Sequence, residues 1–205
     1  MALRTEHVLK TLQDARLANV DFWLGGLHIH FGAYKEVADA IVANRIHVIP
    51  GDNPEWASYY SSAGTRKLKN GTLVDVRANT LVTQDATILD DSGRALLIHE
   101  CTHAYVDLSR AVVTTSLSDE VAAYIAQVTF EMAAAKGQKP TRDGTRFGRM
   151  YHGIGDIVRK FRLNDRAGHG ATLQFRDYAH LRALVHHVKE YHDIGWHQLS
   201  GANGV

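Results

Sequence analysis

Apolar side chains recur at helical spacing over residues 5–18 (Val8, Leu9, Leu12, Ala15, Leu17) and over residues 34–44 (Val37, Ala38, Ile41, Val42). A glycine-rich stretch with Gly25, Gly26 and Gly32 lies between them. Ile46-His47-Val48-Ile49 reads as a short strand that Pro50 and Gly51 stop. Residues 51–70 are rich in turn formers and read as a long excursion, followed by strands over 73–76 and 80–83. Asp90 or Asp91 is a suitable N-cap for a helix over about 92–109. Ser116-Leu117-Ser118-Asp119 resembles a capping box that opens a helix running to about Lys136, where Gly137 ends it. Two further helices are expected near 145–162 and 174–192, with a frayed tail over 200–205. The order of helix, helix, a few strands and then mostly helices is that of an α+β protein. We expect a single domain over 1–205, with a mixed part to about residue 110 and a helical part over about 111–199.

Bulk properties narrow the partners. The chain has 205 residues, 45% apolar and 22% charged, with a formal net charge of +1, which gives no footprint for a nucleic-acid or membrane-surface partner. Polar residues such as Glu6, Lys10, Gln13, Asp14 and Arg16 interrupt the start, so no secretory signal is read there, and no run is long enough to span a membrane. The expected location is cytoplasmic, or outside the cell by a leaderless route. A single cysteine, Cys101, allows no intrachain disulfide. The count of 13 histidines directs attention to metal chemistry.

Residues 99–103 read His99-Glu100-Cys101-Thr102-His103. At about 100° per residue, His99 and His103 lie one turn apart and about 40° apart around a helix, so both imidazoles can bind one tetrahedral zinc. Glu100 sits beside that face and can take a proton from a water that the metal has acidified. With 13 His and 7 Glu in the chain, chance yields such a match in only about 3% of shuffled sequences of this composition, so the histidine content alone does not explain it. Ala95-Leu96-Leu97-Ile98 ahead of the motif is apolar and helix-compatible, and Cys101, Thr102 and Ala104 put no charge on the back of the helix. Cys101 points about 200° away from His99 and reads as a small buried hydrophobe.

The stretch from Ala95 to Tyr105 resembles the active-site helix of the zincins, the zinc metallopeptidases with His-Glu-x-x-His. The likeness covers that helix, the approach to it and the helix after it. It implies a small zincin-like fold, a zinc cofactor held by His99 and His103, and Glu100 as general base. A catalytic zinc takes three protein ligands and keeps one position open. The metzincin pattern places a histidine six residues after His103; Ser109 stands there, and Val106 replaces the intervening glycine. The gluzincin pattern places a glutamate on the following helix, which Glu120 in Ser118-Asp119-Glu120-Val121-Ala122-Ala123-Tyr124 matches. Asp119, and later histidines such as His152 and His169, are the alternatives. Asp107 reads either as an acceptor that orients a ligand histidine or as an exposed acid near a helix end. Tyr124 reads as a core tyrosine ahead of a site residue.

The resemblance also implies an oxyanion donor from the C-terminal part, for which Tyr151, His152, His169, Tyr178, His180, Tyr191 and His192 are all available. His28 and His30 could share a strand face and a second metal, but no third ligand is near and a partly exposed pair is expected. His186, His187, His192 and His197 follow a basic amphipathic helix and read as a solvated face. The basic run from Arg142 to Arg166 is interleaved with Asp143, Asp156 and Asp165, which argues against a DNA-associated regulator. The expectation is therefore a zinc-dependent hydrolase that acts on a peptide or protein substrate, with no nucleic-acid or membrane partner. The alternative is a non-catalytic zinc-binding module of the same fold. Cleavage specificity and oligomeric state have no signature in the sequence.

Overall fold

The computed structural model describes residues 3–51, 57–67, 71–83, 89–109, 115–135, 146–165 and 168–186. They form an α+β fold that falls into two compact units, one of residues 3–14 and 32–109, the other of residues 15–31 and 115–186.

The first unit contains helices α1 (Leu3–Leu12), α2 (Phe31–Val42) and α3 (Asp91–Ser109) and strands β3 (His47–Pro50), β4 (Ser58–Tyr60), β5 (Gly64–Lys67), β6 (Leu73–Val76) and β7 (Thr80–Thr83). β7 is the middle strand of a mixed sheet in the order β3-β7-β4. It runs parallel to β3, with His47 opposite Thr80, and antiparallel to β4, with Tyr59 opposite Leu81. All four residues of β7 are buried, as a central strand covered on both faces requires. β5 and β6 form a separate antiparallel hairpin. α1 packs on α3 and β3, and α3 packs on β4 and β7. α2 ends where Asn44 takes a left-handed conformation (φ 57°), which lets the Arg45 and Ile46 amides both return to the Ala40 carbonyl.

The second unit contains the hairpin of β1 (Phe22–Leu24) and β2 (Leu27–Ile29), strand β8 (Ala171–Leu173), and helices α4 (Ser116–Ala134), α5 (Arg146–Lys160) and α6 (Phe175–His186). Gly25 and Gly26 form the two-residue turn with φ of 58° and 94°, the signs that match the twist of the flanking strands. Phe22 pairs with Ile29 and Leu24 with Leu27 on the buried face, while Trp23 and His28 pair on the other. β8 joins β1 in parallel. The three helices pack on one another, and α4 is buried along most of its length, including Ala122, Ala123 and Ala126.

Several boundaries differ from the periodicity. The helix expected over 5–18 stops at Leu12, and the chain rewinds as a 3-10 turn over Ala15–Asn19 that buries Leu17 and lays the Arg16 guanidinium 4.4 Å from the centre of the Phe130 ring. Packing against α4, rather than the local period, decides that stretch. The turn-rich excursion contains β4 and β5, and the glycine-rich stretch contains β1 and β2. Gly137 and the tail over 200–205 lie outside the described residues. Among the described residues, no helix is long and apolar enough to cross a membrane.

Candidate metal centre

Asp90 caps the start of α3: its carboxylate accepts the Gly93 amide at 2.7 Å and its carbonyl accepts the Arg94 amide at 3.0 Å. Beyond this cap the helix is buried nearly all round, from Ala95 through Asp107, so it carries no amphipathic stripe. Thr102 ties it to α2. That hydroxyl donates to the Ile98 carbonyl at 2.8 Å and pairs with the Tyr34 hydroxyl of α2 at 3.0 Å. Tyr34 is fully enclosed, and burial pushes its phenol well above the ordinary range. Cys101 is also fully buried. Enclosure first, and then the neighbouring Glu100 charge, push its thiol up, so it stays neutral.

Of the two motif histidines, His99 is 4% exposed and His103 is half-buried. Their Nε2 atoms face each other at 3.2 Å, with the rings inclined at 76°. Two nitrogens that each stand ~2.0–2.1 Å from a tetrahedral zinc are about 3.3 Å apart, so the rings already hold the spacing of two ligands of one ion. Glu120 lies on α4, just past its first turn, and is half-buried. The ligand atoms of His99, His103 and Glu120 all lie within 4.8 Å of one another, and this group could hold a metal ion. Two imidazoles and a carboxylate form a donor set suited to zinc with one position left open. Asp119 and the later histidines are not in the group.

Glu100, 9% exposed, lies one step along the helix from His99. Its Oε2 accepts the main-chain amide of Tyr59 in β4 at 2.8 Å. The hydroxyl of the same tyrosine donates to Asp107 Oδ2 at 2.7 Å, with the Asn79 side chain 3.2 Å away. A phenol has one proton, and the shorter, charge-assisted contact takes it. Burial, and then the bond to Asp107, raise the Tyr59 phenol far above its ordinary range, so it remains a donor. Asp107 is thus not an exposed acid: it is 3% exposed, with Tyr59 as a partner. No pattern in the sequence marks Tyr59, which lies 41 residues before Glu100 in the turn-rich excursion.

α4 also starts one residue earlier than its capping pattern suggests. Thr115 is the N-cap, and its hydroxyl accepts the Ser118 amide at 3.3 Å. Asp119 therefore sits one place past the position a capping-box acid needs.

The remaining candidates are spread over the second unit. Tyr151 is buried and its hydroxyl donates to Glu131 at 3.3 Å; Tyr124 packs edge-on against the same ring. Tyr178 is buried, with its hydroxyl bonded to Ser118. His152, His169 and His180 are exposed. Tyr191, His187, His192 and His197 lie outside the described residues. His28 and His30 stack with Trp23 in a row of three rings, and Asp21 holds the Nε2 of His28 at 2.8 Å. Among the described residues, no group that could hold a metal ion includes them.

Comparison of the chain with protein-family models, curated proteins and solved structures matches nothing.

Proposed function

We propose that the chain is a zinc-dependent hydrolase of zincin-like, gluzincin type that cleaves peptide bonds. The observation that carries this reading is the pair of Nε2 atoms 3.2 Å apart on one turn of α3, in a group with Glu120. It is supported by a glutamate directly after the first histidine, by the short sheet that precedes α3, and by Glu120 lying on the next helix. His99, His103 and Glu120 would hold the ion. Zinc, when bound, polarises the substrate carbonyl and acidifies water. Glu100 takes a proton from the attacking water onto its carboxylate and delivers it to the departing amine. The near-complete burial of His99 and Glu100 keeps bulk water from screening this charge movement.

One observation favours a second reading, a zinc-binding module without catalysis. Glu100 already accepts a main-chain hydrogen bond, which is a structural use for its carboxylate. Elemental analysis and peptide cleavage together decide between the two. Wild type should carry one zinc per chain, and Glu120→Ala should lose most of it. Glu100→Gln should keep the zinc while its cleavage rate falls by about 10²–10⁴-fold. Wild type purified without bound metal, and unable to take up zinc, would sink both readings. Zinc in both wild type and Glu100→Gln with equal cleavage rates would remove Glu100 as base. Zinc with no cleavage by wild type of any peptide in a mixed pool would leave the non-catalytic module.

A further inference from the structure

The geometry points to Tyr59 as the residue that positions Glu100. The inference rests on the reading of Glu100 as general base. Tyr59 touches α3 at two places: its main-chain amide at Glu100 Oε2 (2.8 Å) and its hydroxyl at Asp107 Oδ2 (2.7 Å). Glu100 and Asp107 are seven residues apart, so they lie on nearly the same face, two turns and about 10.5 Å from each other along the helix. One tyrosine lying along the helix spans that interval, its backbone at one carboxylate and its ring tip at the other.

The strand that carries it is suited to this use. β4 is an outer strand in the order β3-β7-β4 and, among the described residues, its ladder partner is β7, which leaves an edge amide in need of an acceptor. Glu100 is that acceptor. A glutamate carboxylate turns easily about its last bond. Here its donor is held from two sides, by the β4–β7 ladder and by the hydroxyl on Asp107. The donor therefore selects one orientation of the carboxylate beside His99. Tyr59 and Asp107 are positioning residues: they act through Glu100.

The test uses the cobalt(II)-loaded protein, whose visible ligand-field bands respond to what contacts the open position of the metal and need no substrate. Glu100→Gln and Tyr59→Phe should shift those bands in the same sense, with cobalt affinity within about threefold of wild type. Asp107→Asn keeps an oxygen that accepts the Tyr59 proton, and should retain the wild-type spectrum. On a fluorogenic peptide pool, Tyr59→Phe should lower kcat by about tenfold with KM unchanged, the mark of lost orientation rather than lost binding. If Tyr59→Phe does not fold, Asp107→Leu removes the same anchor from the other side and is read in the same way. A wild-type spectrum for the anchor variant beside a shifted one for Glu100→Gln would overturn the positioning role while leaving the base in place. An unshifted spectrum for Glu100→Gln would overturn the base role, and the positioning role with it.

Discussion

At the scale of single residues, the centre depends on groups buried in defined states. Thr102 does two things at once: it donates to Ile98 and accepts from Tyr34. Removing either partner is therefore unequal. Tyr34→Phe leaves Thr102 its bond to Ile98 and should cost about 0.5–1.5 kcal/mol, the net worth of an ordinary hydrogen bond. Thr102→Val strands a phenol inside the fold and should cost more, about 1–3 kcal/mol. Urea denaturation of the two variants measures the difference, and an equal or reversed order would show that Tyr34 does not depend on Thr102. The motif residues His99, Glu100 and His103 were legible because helix geometry alone puts positions four apart on one face. Tyr59 was not legible. Its partners come from the packing of β4 against α3, and nothing local marks it. Asp107 is a similar case: the sequence left it open between an acceptor for a ligand histidine and an exposed acid, and the hydroxyl bonded to it comes from 48 residues away.

At the scale of elements, caps and strand lengths explain what the pattern showed and what it missed. α3 and α4 are long, and their starts carry side-chain caps, so their existence and extent followed from the sequence to within a residue or two. β1, β2 and β8 have three residues each, too few to establish a period of two, and they exist because they pair with one another. The cap of α4 gives a direct test of register. Thr115→Ala should cost about 1 kcal/mol, because the Ser118 amide and hydroxyl both lose the Thr115 hydroxyl as a partner. Ser116→Ala should stay within about 0.5 kcal/mol, as expected away from a cap. Thermal unfolding of both variants checks this, and the opposite order would return the cap to Ser116.

At the scale of the whole molecule, the proposed zinc would link binding to folding, because its candidate ligands lie on two helices, α3 and α4. Zinc at a thousand times its dissociation constant should stabilise the protein by about 4 kcal/mol. The expected result is a fall in melting temperature with a chelator, its recovery on adding zinc, and no response in His99→Ala. A chelator-insensitive transition in protein shown to contain zinc would contradict the linkage. The buried acids set a second dependence, on pH. The folded-state values of Cys101, Tyr34 and Tyr59 are raised from ordinary values of 9.0, 10.0 and 10.0. As pH rises past those ordinary values, the unfolded chain releases protons that the folded chain still holds, so unfolding gains. This contribution is fully present below about pH 9 and is lost progressively above it. Urea midpoints from pH 7 to 10.5 should fall on the alkaline side, and Cys101→Ala should flatten the first part of the decline. A flat profile in wild type would show that these groups titrate alike in both states.

By itself the sequence determined the α+β class, the long helices and the three consecutive-turn residues of the motif, because each follows from local periodicity and local capping. It narrowed the third ligand to Glu120 with Asp119 and later histidines as alternatives, since chain spacing does not say which side chain reaches a point. Only the tertiary structure brought Glu120 within 4.8 Å of both imidazoles, placed Tyr59 along α3 and enclosed Asp107. Those facts are contacts between segments distant in sequence, and the packing energy that selects them is summed over the fold rather than stored in any one stretch.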